Sequence, residues 1–413
     1  MKAADTNYYR QIRVEELELG MYVAELDRPW TESPFLFQGF HIRDSAELEQ
    51  LQALCRHVVI DIERGPAPSA GRTGENRQAD ESTTIAKRLD GGPRYPDVTT
   101  VEEELEAARD IYQQITAEVA TLLEDVRAGN PFKAETMRRT MSSMIDSILR
   151  NPDAFLWLTR LKDKDSYTYA HSIDACSLVT AFGRHLGLAK SDLQDLAIGT
   201  LLFDIGKMKL PEELLNKPGK LTEAERLLVQ EHVAHSVKLA SKIQGIGERS
   251  IQTILTHHER TNGSGYPHGL TGSAIPLFGR MAAIVDCYDA ITSRRAYASP
   301  LSQHEAVLKL YAVRDTDFQS ELVEQFIQCL GVYPTGSLVE LSTGAVGVVL
   351  SQNRIQRLRP KIMLVLDENK VAYDFCPIID LSLETEDSRG NSLSIERPLE
   401  PGTYGIDPTE LYL

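Results

Sequence analysis

The stretch Thr256-His257-His258-Glu259-Arg260-Thr261-Asn262-Gly263-Ser264-Gly265-Tyr266-Pro267-His268-Gly269-Leu270 decides how this chain is read. Two adjacent histidines close an apolar helical pattern over Ser250–His258, and a Gly- and Pro-rich loop follows. Outward from it the spacing of apolar residues predicts helices over Tyr167–Leu186, Ser191–Phe203, Thr222–Ile243, Pro276–Thr292 and Ser302–Cys329. No strand-like alternation interrupts them, so residues 166–330 are expected to form an all-α domain.

The histidines concentrate in this region. Seven lie between 171 and 268: His171, His185, His232, His235, His257, His258 and His268. Asp204 follows Leu201-Leu202-Phe203, and Asp286 follows Ala282-Ala283-Ile284-Val285. A carboxylate among apolar neighbours needs a partner, because burying an unpaired charge is costly. Imidazoles and carboxylates together suit a first-row divalent metal such as Mn, Fe, Ni or Zn. A bridging Asp flanked by histidines suits two ions about 3.5–4 Å apart. Spacing alone leaves a metal site and a set of separately satisfied histidines both open, and a lone His185 reads as a surface or capping residue.

The rest of the chain divides by pattern. Residues 9–64 read as a small α+β domain, with a helix over Ala46–Cys55 and a strand over His57–Ile62. It carries no catalytic constellation and reads as a regulatory or interaction module. Residues 65–99 are rich in Gly, Pro, Arg, Ser and Asp and read as a flexible linker. In the helical region 100–330, Leu105, Ala108, Tyr112, Ile115, Val119, Leu122 and Val126 step by three and four. That seam fits a homodimer through helix 100–127, or a helix packed on its own domain. Met137, Met141, Met144, Ile145 and Ile148 share one face and read as core. Residues 333–413 read as a β-rich C-terminal unit, with strands near Ser337–Leu341, Val346–Leu350 and Lys361–Leu366.

Composition narrows the functional classes. The formal net charge of -16 argues against binding duplex nucleic acid through a broad basic face. It leaves room for a small anion, because bound metal reverses the local field. The absence of a signal-like segment or a long apolar run predicts no membrane span, and five scattered cysteines point to a reducing cytoplasm. Those cysteines read as small buried apolar residues.

The quoted stretch resembles the signature of the HD-GYP family, a branch of the HD phosphohydrolases. The likeness continues through Gly272, Ile275-Pro276-Leu277, Arg280, Asp286, Asp289-Ala290 and Arg295. Upstream it includes Asp204-Ile205-Gly206-Lys207, Leu214–Thr222 and Glu231-His232, so it covers roughly 165–310. Residues 9–64 are similar to a small domain found ahead of some members. The resemblance implies an all-α catalytic domain that hydrolyses the bacterial second messenger cyclic di-GMP, through linear pGpG to GMP, with two divalent transition metal ions. Carried over by position, the metal ligands would be His171, Asp204, His232, His257, His258 and Asp286. Asp204 would bridge the ions, Lys207 would contact the scissile phosphate, and Tyr266 and Arg295 would contact the ligand's phosphates.

Several positions depart from the family pattern. Phe203 stands where the family has the dyad histidine, and Phe cannot ligate a metal. Tyr167 occupies the place where some members have a Glu reaching a third metal. Asn262 and Thr261 replace an Asp and an aromatic. Two expectations follow from different classes. One is an active binuclear phosphodiesterase; the other is a degenerate domain that binds cyclic di-GMP or a protein partner without turnover.

Overall fold

The computed structural model describes residues 9–28, 33, 35, 40–42, 45–62, 65–66, 93–128, 134–160, 167–215, 217, 219–293, 300–314, 316–387, 389–408 and 411. It separates into two compact units, residues 1–80 with 353–359, and residues 81–352 with 360–413.

In the first unit, strands β1 (Tyr9–Arg13), β2 (Tyr22–Leu26), β3 (Phe40–His41) and β4 (His57–Asp61) form an antiparallel sheet in the order β1-β4-β2-β3. Helix α1 (Ser45–Leu54) contributes Leu51 to a core with Ile12, Val14, Met21, Val23, Ile42, Val58 and Ile60. This is the α+β domain expected from the alternating apolar residues.

In the second unit, the described residues ahead of the first long helix are anchored by hydrogen bonds and an ion pair. Tyr95 Oη donates to Leu188 O at 3.0 Å, Asp97 pairs with Arg184 at 2.7 Å, and Val98 N donates to Arg150 O at 2.9 Å. The last part of the stretch read as a linker, 65–99, is therefore fixed to the helical region. Helices α2 (Val101–Ala128), α3 (Ala134–Arg150) and α4 (Pro152–Leu158) follow, then α5 (Tyr167–His185) and α6 (Lys190–Leu202).

The long α2 takes the second of the two readings its seam allows, a helix packed on its own domain. Leu105, Ala108, Ile115, Val119 and Leu122 are buried within the single chain. The helix packs on α3, α4 and α5, and Ile115, Val119 and Leu122 share a small apolar space with Met137, Met141 and Leu201. A heptad pattern specifies an apolar seam, and here the seam is closed by the protein's own helices. The methionine face of α3 is core, as expected.

Beyond α6 a 3₁₀ turn (Ile205–Lys209) leads to short α7 (Glu212–Leu215), α8 (Glu223–Gln230), α9 (His232–Ala240) and α10 (Glu248–Thr256). The single helix expected over Thr222–Ile243 is thus two, meeting at Glu231. A capping box between Thr222 and Glu225 starts α8, which buries none of its residues. Helix α11 (Leu277–Thr292) is the buried central rod, packed on α5 and α10. The expected Ser302–Cys329 helix also divides, into α12 (Gln303–Ala312) and α13 (Ser320–Leu330).

The β-rich C-terminal unit is a five-stranded antiparallel sheet, β8-β7-β6-β5-β9. Its strands are β5 (Leu338–Leu341), β6 (Val346–Ser351), β7 (Lys361–Leu366), β8 (Ile378–Asp380) and β9 (Ile395–Leu399). Asp153 of α4, fully buried, joins sheet to helices by accepting from Thr335 Oγ1 and Gln352 N, each at 3.1 Å. All five cysteines are free thiols; Cys376 is exposed, against the expectation of burial. Among the described residues, no helix is long and apolar enough to cross a membrane.

Candidate metal centre

Five segments meet at one point: α5 brings His171, the turn after α6 brings Asp204, α9 begins with His232, His257-His258 follow directly on α10, and α11 carries Asp286. The close approach of the 3₁₀ turn to α9 depends on Gly206. A Cβ there would lie 2.1 Å from His232 O and 2.5 Å from Ser236 N. The gap is used instead by a bond from Gly206 N to Ser236 Oγ at 2.8 Å.

Asp204, His232, His257 and His258 offer donor atoms all within 4.8 Å of one another. His232 Nδ1 and His257 Nδ1 donate to Val229 O at 2.6 Å and Ile254 O at 2.7 Å. A carbonyl only accepts, so each Nδ1 holds the proton and each Nε2 presents a lone pair. These Nε2 atoms lie 3.3 Å and 3.9 Å from Asp204 Oδ1. All three atoms are buried and lack a hydrogen-bond partner. Buried polar atoms left in this state are costly, and a divalent cation satisfies all three together. The residues fit a metal.

A second group adjoins it. His171 Nε2 lies 3.1 Å from Asp286 Oδ1 and 3.5 Å from Asp204 Oδ2, and His258 Nδ1 lies 3.5 Å from Asp286 Oδ2. Donor atoms sharing an ion at about 2.1 Å stand roughly 3 Å apart, so this spacing also fits a cation. His171 Nδ1 meets Asp289 Oδ2 at 2.6 Å. Asp289 thus orients the ring from behind, the usual carboxylate support of a ligating histidine. Its role was not drawn from the sequence, though its place one turn after Asp286 on α11 was the available signal.

Phe203 is fully buried between the two groups. Its ring centroid is 5.5 Å from His171 and 4.6 Å from His257. The position contributes packing and no ligand.

The electrostatics follow burial and neighbours. Burial opposes ionisation of Asp204, but Lys207, His232 and His171 outweigh it and hold the carboxyl well below the usual range. For Asp286, burial is likewise outweighed by His171 and His258, and its carboxyl is lowered. Burial pushes His257 down to about 4, and burial with the neighbouring His257 lowers His258. At His257 and His258 these neutral imidazoles beside ionised carboxylates are the protonation states a metal requires. For His171, burial is outweighed by its bonds to Asp286 and Asp289, which raise it to about 10, so a metal there would have to displace its proton.

Lys207 Nζ forms an ion pair with Asp204 Oδ2 and is partly exposed at the mouth. The Tyr266 ring stands 4.6 Å from His258 and 6.4 Å from His232. Arg295 and the side chain of Tyr167 lie outside the described residues. His235 faces Glu231 at 4.0 Å rather than the cluster, and His185 meets Gln325 Oε1 at 3.0 Å.

The chain is similar to known proteins along most of its length. A family profile described as an HD domain matches residues 118–322. A domain of unknown function matches 9–137, and a KOW domain associated with HD domain matches 338–389. A cyclic di-GMP phosphodiesterase of Pseudomonas aeruginosa is 34% identical over 356 residues, covering 86% of this chain and 84% of that protein. A 3'3'-cGAMP-specific phosphodiesterase of Vibrio cholerae is 34% identical over 143 residues, covering 34% of this chain and 27% of that protein. A solved HD-GYP-type protein from Bdellovibrio bacteriovorus aligns over 77% of this chain and 98% of its own, with 17% identity and a TM-score of 0.46.

Proposed function

The chain belongs to the HD-GYP family of HD-domain proteins, and from that premise we propose that it is a metal-dependent phosphodiesterase that hydrolyses cyclic di-GMP through linear pGpG to GMP. The observation that carries the reading is the trio of buried, unpartnered atoms, Asp204 Oδ1, His232 Nε2 and His257 Nε2, aimed at one point. The choice of cyclic di-GMP over a mixed dinucleotide rests on coverage. The relative named for cyclic di-GMP matches along 84% of its length, and the one named for 3'3'-cGAMP along 27%.

We assign one ion to Asp204, His232, His257 and His258, and a second to His171, Asp204 and Asp286, with Mn, Fe or Ni preferred to Zn. Bound there, the ions supply Lewis acidity toward a phosphate oxygen and a water of lowered pKa. The protein's own part is positioning and charge. Lys207, already at the mouth beside Asp204, turns its ammonium toward the scissile phosphate as charge builds there. Tyr266 and Arg295 take the ligand's phosphates, with Arg295 offering a bidentate fork to the one not being cleaved. The division into a 9–64 module, a linker, a 100–330 catalytic region and a 333–413 β unit belongs to the same reading, as does work in a reducing cytoplasm.

A second reading draws on Phe203. A buried phenyl ring touching His171 and His257 favours a domain that binds cyclic di-GMP without turnover. Incubating the Mn-loaded chain with cyclic di-GMP and separating the products by chromatography tests the two. Metal-dependent appearance of pGpG and GMP is expected; intact cyclic di-GMP in the presence of bound metal overturns hydrolysis.

A further inference from the structure

Glu259 directly follows the histidine pair and is 1% exposed. Its two carboxylate oxygens accept from different backbone groups of the loop ahead. His268 N donates to Oε1 at 2.8 Å, and Leu270 N donates to Oε2 at 2.9 Å. Sequestering a carboxylate is costly unless its lone pairs are met, and here the chain's own amides meet them.

The effect is to close residues 259–270 into a ring. The ring is drawn tight elsewhere as well. Tyr266 N donates to His258 O at 3.2 Å, and Gly263 N donates to Arg260 O at 2.8 Å. Gly265 lies so close to the backbone at Glu259-Arg260 that a Cβ would be 2.3 Å from Arg260 N. Thr261 N is tied to Asp317 O at 2.9 Å. The side chain that leaves this ring toward the metal centre is Tyr266, whose ring stands 4.6 Å from that of His258.

We propose that Glu259 is a positioning residue for substrate binding: its carboxylate clamps the loop at His268 and Leu270 and so fixes Tyr266 over the cluster. The clamp touches neither metal nor substrate and acts only through Tyr266. This rests on the reading of the site as a cyclic di-GMP site. Glu259→Gln keeps the size but replaces one acceptor with an NH2 that faces a backbone N–H, so one of the two bonds is lost. Glu259→Asp keeps the charge but shortens the reach.

The test is a double-mutant cycle on the full chain, reading cyclic di-GMP binding by calorimetry, KM and kcat by product formation, and metal per chain by elemental analysis. Glu259→Gln is expected to weaken binding and raise KM about tenfold, the scale of one unsatisfied buried group, with metal content and kcat close to the parent's. In a Tyr266→Ala background the same change is expected to add nothing, because the group it positions is gone. Should Glu259→Gln fail to fold, Gly269→Ala strains the same ring, since Gly269 has φ +64° between the clamped amides; it is expected to show the same coupling to Tyr266. Parent-like binding in Glu259→Gln, effects that add to those of Tyr266→Ala, or loss of metal would each overturn the proposal. A parent chain that binds no cyclic di-GMP overturns the functional reading instead, so the two failures are distinct.

Discussion

The ring of Phe203 lies 5.5 Å from that of His171 and within 19° of parallel to it. A packing side chain stands where the family resemblance implies a ligand, while Asp204, His232, His257 and His258 nearby hold donor atoms within 4.8 Å of one another. Restoring the ligand is therefore informative. Phe203→His is expected to tighten the ion held by His171, Asp204 and Asp286, because it adds a fourth donor beside Asp204. Titration with Mn, followed by elemental analysis, should show a raised affinity for the weaker ion. Unchanged stoichiometry and affinity would mean that another group already fills the position.

Asp204 faces both groups, through Oδ1 to His232 and through Oδ2 to His171. Two close cations need an anion between them. Asp204→Ala is expected to lose metal and turnover together. A variant that retains two metals per chain would refute the bridging assignment.

Acid and alkali should destabilise the metal-free protein for different reasons. Burial pushes His257 from 6.5 down to about 4, so the unfolded chain takes up a proton first. Stability is then lost as pH falls from about 6.5 to about 4. Burial works against charge on His171 too, but its bonds to Asp286 and Asp289 outweigh that and raise it to about 10. Its contribution is fully present below about 6.5 and is lost as pH rises through about 10. The Tm of chelator-treated protein is expected to peak near neutrality. A Tm that still rises at pH 9, or stays flat from 6.5 to 4, would contradict these assignments.

Ile115 is 1% exposed inside the chain's own helical core. Ile115→Ala is expected to cost about 2–5 kcal/mol of stability, as for other buried aliphatic truncations, with no change in the particle size of the folded protein. A loss of size by light scattering without a loss of Tm would revive the dimer seam.

That helix shows where the sequence was sufficient and where it was not. The step of three and four at Leu105 to Leu122 reveals an apolar stripe, but the stripe is the same whether a partner chain or α3 and α5 covers it. The apolar spacing on either side of Glu231 continues a helical period, so the break between α8 and α9 was hidden. The candidate ligands could be named because metal chemistry favours His and Asp, and the family resemblance supplied their arrangement. Asp289 and Glu259 were not, since their partners are a ring nitrogen 118 residues away and two backbone amides. The substitution at Phe203 could be read, whereas its contact with both His171 and His257 needed the fold.

The most direct test of the central claim measures the initial rate of cyclic di-GMP consumption by the full chain, before and after stripping and restoring Mn, with Asp204→Ala alongside. The account predicts pGpG and GMP from the parent only when metal is present, and none from Asp204→Ala. A parent that carries its metals and binds cyclic di-GMP yet forms neither product would contradict it.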